Sequence, residues 1–260
     1  MILLALFQYS PWVISMILLV CMIVAVSIGL RLGNRNKERD NEDDKTTSNL
    51  IGGIFALNAF LLAFTFSMSA GRYEARRDIL VLEANNIGTA ILRADLYPDS
   101  MRNILMPLFR EYVETRIAYY SITGDSALLN ASVQKANGIS GQIWQHCTAY
   151  FRQTGSMVPS NQLVPALNDM IDIVNTRQQQ LYAMVPETIV MMLFVLTITS
   201  AFLAGYSNKK GRMDWPVVVC FCILTAFVIF ITLDLDRPRT GLIRLDTAEN
   251  SMLELRQIFK

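Results

Sequence analysis

Four stretches of the chain are almost wholly apolar, and between the second and third of them apolar positions recur at helical spacing. A bilayer core takes about 20 apolar residues as helix, because the backbone must satisfy its own polar groups there. Residues 11–30, 50–70, 188–206 and 217–233 meet that length, and none of the four contains Asp, Glu, Lys or Arg. The first is read as a retained helix, since no basic residue precedes it and no small-residue cleavage site follows.

Residues 71–186 read as helix interrupted by turn signals. The first piece continues from the second span to about Leu96 and stops at Tyr97-Pro98-Asp99. A second runs from Asp99-Ser100 to about Tyr120, with Pro107 a bend. A third, after Thr123-Gly124-Asp125-Ser126, puts Ala136, Ile143, Cys147 and Phe151 on one stripe, and a fourth begins after Pro159-Ser160. Short loops between amphipathic helices predict an antiparallel bundle. The fold class is therefore an all-α integral membrane protein of four transmembrane helices with a bundle inserted between the second and third. Its expected divisions are 1–70, 71–186, 187–233 and a C-terminal segment 234–260 with a short helix.

Composition agrees with a bilayer as the principal partner. Hydrophobic residues make up 52% and charged residues 17%, against about 25% charged in soluble domains. A net charge of +1 offers no global field for nucleic acid. Lys and Arg in short loops set orientation. Arg31, Arg35, Lys37, Arg39 and Lys45 follow the first span, and Lys209, Lys210 and Arg212 separate the third and fourth. Both loops read as cytoplasmic, which puts the helical domain outside the cytoplasm, with a bacterial inner membrane as the expected location. Arg72, Arg76, Arg77, Arg237, Arg239 and Arg244 on the other side oppose that assignment.

No enzymatic constellation is present, so no enzyme and no cofactor or metal is expected. His146 and Cys147 are neighbours on a helix and point to different faces. Glu42-Asp43-Asp44 lacks the spacing and glycine of a calcium loop. The pattern that carries chemistry lies on the second span. Asn58, Thr65, Ser69, Arg72 and Arg76 share one helical face. Such a stripe either lines a hydrated path that arginines enrich in small anions or joins neighbouring helices. Phe60 and Phe64, one turn apart, are candidates for an apolar constriction. Further along, Glu83, Asn85, Thr89 and Arg93 need hydrogen-bonding partners, which predicts an inter-helix or inter-subunit network, and a homo-oligomer is expected. Arg77, Asp234, Asp236 and Arg237 belong to the same polar set, and at least one of Arg72, Arg76 and Arg77 is expected to pair with Asp234 or Asp236.

These motifs carry a resemblance. The Ala63-Phe64-Thr65-Phe66-Ser67 run, Arg72, Arg76-Arg77, Glu83-Ala84-Asn85, Gly88-Thr89, Leu92-Arg93 and Leu96 to Pro98 resemble a bacterial bestrophin-like membrane protein family. Asp234-Leu235-Asp236-Arg237-Pro238 and Gly241-Leu242-Ile243 are similar to that family's second motif. The resemblance implies kinship to bestrophin anion channels, which are oligomers with a pore lined by the second membrane helix and a cytoplasmic helical part. The chain departs from true bestrophins in having no dense acidic run after the last span, so their calcium clasp is not implied. Two functions follow: an oligomeric, anion-selective channel lined by the second span, or a non-conducting receptor or scaffold whose bundle binds a partner or ligand.

Overall fold

The structure is a computed structural model, and it describes residues 9–36, 44–122, 126–208, 214–237, 241–243 and 246–260. Lys37, Arg39, Glu42, Asp43, Lys209, Lys210, Arg212, Arg239 and Arg244 lie outside them, as does the Thr123-Gly124-Asp125 turn. All regular elements among the described residues are helical. They are α1 (Pro11–Asn36), α2 (Asp44–Ala94), α3 (Asp99–Ser121), α4 (Ser126–Thr154), α5 (Met157–Tyr182), α6 (Glu187–Tyr206), α7 (Trp215–Leu235) and α8 (Asp246–Glu254), followed by a 3-10 turn Leu255–Phe259. The fourth bundle helix begins ahead of its expected start. Pro159 falls in the first turn of α5, where a backbone N–H has no helical acceptor to lose.

The chain divides into two compact units. One comprises Met1–Arg72 and Met184–Arg237, the other Tyr73–Ala183 and Pro238–Lys260. In the first unit α1 packs against both α6 and α7. Ile14, Leu18, Met22, Val26, Leu193, Ile229 and Leu233 form its core, and Trp12 meets Phe230 with ring centres 4.3 Å apart. The contact between α1 and α6 is close because glycine permits it. A Cβ on Gly29 would stand 2.1 Å from the Phe202 carbonyl oxygen, and one on Gly205 would stand 2.1 Å from that of Val26. Between membrane helices, where water supplies no hydrophobic drive, such backbone approach is a main source of association.

In the second unit α3 packs on α4, α4 on α5, and α8 with its 3-10 turn on α3. Leu105, Phe109, Ile143, Leu163, Leu167 and Met170 are fully enclosed, and Leu80, Ala84, Ile87 and Ile91 of α2 join them. Cys147 lies in that core while His146 is exposed, and burial pushes the Cys147 thiol up to about 11. The C-terminal segment, expected as a separate piece, belongs to this unit through buried Met252 and Leu255.

Candidate functional site: two faces of the second helix

Helix α2 is unlike the other three apolar helices. Only 17% of its most apolar stretch is buried, against 33–39% in α1, α6 and α7. What is buried is the polar stripe. Asn58 Oδ1 accepts a hydrogen bond from the Thr197 hydroxyl of α6 at 3.1 Å. Thr65 donates back to the carbonyls of Leu61 and Leu62. Ser69 is fully enclosed and borders a cavity of about 10 Å³ with Thr65, Thr232 and Asp236, room for roughly one water.

The stripe ends on its arginines. Arg72 Nη1 lies 3.7 Å from Asp236 Oδ1, and Asp236 Oδ2 accepts the Val185 backbone N–H at 2.8 Å. The expected pairing of arginine with aspartate thus falls on Arg72 and Asp236. Arg76, in the second unit, donates instead to the carbonyls of Gln180 at 3.3 Å and Ala183 at 2.7 Å. Gln180 is in the last turn of α5 and Ala183 is its C-cap residue, an end where carbonyls lack helical donors and a guanidinium caps well. Arg77 is exposed and Asp234 buried. Arg237 donates to the Tyr9 carbonyl.

The opposite face is open. Gly53, Phe60, Phe64, Ser67 and Gly71 are exposed, and the same register continues with Glu74, Asp78, Leu82, Asn85, Thr89 and Leu92, all exposed. Spacings of three and four keep these residues on one side of the helix. Phe60 is 68% and Phe64 49% exposed, with ring centres 6.3 Å apart. Arg93, to one side, donates to the Gln162 carbonyl at 2.9 Å, whereas Asn85 and Thr89 face outward. Glu83 turns inward to Arg116, Tyr120 and Arg177. The sequence reading named Glu83 but missed both arginines. Their signal was present: Arg116 and Arg177 follow Val113 and Val174 by three residues, at positions where an amphipathic helix is expected to be apolar.

A helix apolar enough to span, with its polar face packed inward and its aromatic face exposed, is that of an integral membrane protein. The chain belongs to the bestrophin-like family, whose domain model matches residues 15–249. Its fold is similar to that of a bacterial bestrophin homolog from Klebsiella pneumoniae (TM-score 0.64, 13% identity, 94% of this chain and 97% of that one). A single-residue variant of that homolog gives a TM-score of 0.63 at 15% identity, covering 93% and 98% of the two chains. Another membrane protein gives 0.60 at 16% identity, covering 92% and 94%. No curated protein matches.

Proposed function

We propose that the protein is an oligomeric ion channel whose path runs beside the exposed stripe of α2, with Phe60 and Phe64 as its apolar constriction. The observation that carries this reading is the continuity of the stripe. Lipid alone would account for exposed Phe60 and Phe64, since apolar side chains face hydrocarbon at no cost. It does not account for the same register continuing onto Glu74, Asp78, Asn85 and Thr89. Copies arranged about a shared axis would give the whole stripe one role, facing that axis. Apolar rings at a narrow point resist wetting and so gate ion passage.

The exposed charges bear on selectivity. The expectation of an anion path rested on Arg72 and Arg76, and both guanidiniums have partners within the protomer. Between Leu50 and Ala94 the charges on the open stripe are Glu74 and Asp78. Rings of carboxylates favour cations. The preferred reading is a cation-preferring path, and the anion-selective one is its competitor.

Purified protein in liposomes under a KCl gradient tests both parts. A reversal potential toward that of potassium is expected, moving toward zero in Glu74→Gln/Asp78→Asn, and Phe60→Ala is expected to raise flux several-fold. A reversal potential toward that of chloride would overturn the selectivity. Absence of any flux, with the protein inserted and intact, would overturn the channel and leave a receptor or scaffold.

A further inference from the structure

Among the described residues, one cluster in the core of the helical unit holds one more positive charge than negative. Glu83 of α2 and Arg116 of α3 are fully buried, and Arg177 of α5 is 7% exposed. Arg116 Nε donates to Glu83 Oε1 at 2.5 Å, Arg177 Nη1 donates to Oε2 at 3.0 Å, and the Tyr120 hydroxyl donates to the same oxygen at 3.1 Å. The carboxylate is therefore well satisfied. It is also the only acid bonded to either guanidinium among the described residues. Arginine does not lose its proton at any accessible pH, so the cluster holds two cations and one anion.

Aromatic rings soften this surplus without cancelling it. The Arg116 and Arg177 guanidinium carbons stand 4.8 and 4.9 Å from the centre of the Tyr119 ring, and Arg177 is 4.2 Å from that of Tyr120. A ring face attracts a cation through its quadrupole and carries no net charge. One hydrogen-bond donor is also left over: Arg116 Nη1 is buried and touches no acceptor among the described residues. A surplus charge and an idle donor thus meet in the same guanidinium. Both are costly in a low-dielectric interior.

We propose that this cluster binds one small inorganic anion of the halide class, held at the Arg116 Nη1 edge. A water would satisfy the donor and leave the charge. A side chain from a second copy could not reach an atom enclosed within the bundle. One idle donor and one surplus charge fit a monovalent, weakly hydrated ion better than a phosphate, which would bring more charge and more acceptors than the cluster can use. The site goes beyond the permeation reading. It lies on the inward side of α2, away from the open stripe, and the ion resides there rather than passing through.

The charge count gives a test with opposite signs. Full-length protein in detergent is melted at constant ionic strength in chloride and in gluconate. At chloride ten times its dissociation constant, the wild type is expected to melt about 3–6 °C higher in chloride. Arg116→Met removes the surplus and leaves the Glu83–Arg177 pair, so the difference between salts should vanish. Glu83→Gln raises the surplus to two, so the difference should grow. A merely structural cluster would lower both melting points in both salts and leave the difference unchanged, which overturns the proposal. Should either variant fail to fold, crystals of the wild type in bromide decide instead. An anomalous peak in contact with Arg116 Nη1 supports the site, and a water or nothing there overturns it. Neither readout uses ion flux, so failure here leaves the channel reading standing, and the reverse.

Discussion

At the scale of single residues, glycine has two opposite meanings in this chain, and sequence does not separate them. Gly29 and Gly205 sit where a Cβ would enter a neighbouring backbone. Backbone cannot step aside as a side-chain end can, so the helices must part. Gly29→Ala is expected to lower stability by about 1–3 kcal/mol or more, as other overpacked contacts do, and to reduce the yield of folded protein in mild detergent. Gly138 of α4 meets nothing within 4 Å. There alanine removes only the entropic cost of a helical glycine, so Gly138→Ala should raise stability by about 0.5–1 kcal/mol. Thermal melts of the two variants check both signs. If Gly29→Ala melts like the wild type, the close approach of α1 and α6 is not what the structure describes. Both residues read as helix interior in the sequence; only the position of a partner helix separates them.

At the scale of elements, the helices were legible and their rotation was not. Apolar run length located all four spans, because the bilayer imposes a length on any spanning helix. Which face of α2 is inward is a different matter. Asn58, Thr65, Ser69, Arg72 and Arg76 form a clear stripe in sequence, and both a water path and a helix contact want such a stripe. Burial of Asn58, Thr65 and Ser69 favours the helix contact, and no property of α2 alone carries that information. The C-terminal segment shows the same limit. Its docking rests on Met252 and Leu255 in the core and on a two-pronged pair, Arg256 Nε and Nη2 to Glu114 at 2.8 and 2.6 Å.

The Arg256 hydrogen bond holds the Glu114 carboxyl below its usual range. A carboxylate lowered on folding stabilises above its unfolded value, about 4.3, and that contribution is lost as pH falls through the lowered value. The pair is half exposed, so it should be weak and sensitive to salt. Protection of the amides of residues 246–260, measured against their intrinsic exchange rates at each pH, is accordingly expected to fall below about pH 4 and, to a similar degree, in Glu114→Gln at neutral pH. Leu255→Ala should release the segment far more, at a cost of about 2–5 kcal/mol. Equal effects from the two variants would mean that the ion pair, and not the apolar anchor, holds the segment down.

At the scale of the whole molecule, the charges of the short loops bear on which side of the membrane the helical unit occupies. The basic residues of the loops after α1 and α6 argue that those loops stay in the cytoplasm, since short loops rich in Lys and Arg resist translocation. The opposing arginines are weaker witnesses than their number suggests. Arg72 is paired with Asp236, and Arg76 caps the end of α5, so each has a structural reason to be where it is. On that argument the helical unit is expected outside the cytoplasm. Val158, at the exposed start of α5, is a suitable reporter. Cys21 and Cys220 are exposed on apolar helices, so the test belongs in a background with the native cysteines replaced. Val158→Cys is expected to react with a membrane-impermeant maleimide in intact cells, while a cysteine at Asn208, at the end of α6, reacts only after the membrane is opened. The reverse pattern would place the unit in the cytoplasm. It would also mean that Arg72, Arg76, Arg77 and Arg237 act as the retained charges during insertion, before the folded protein gives Arg72, Arg76 and Arg237 their partners.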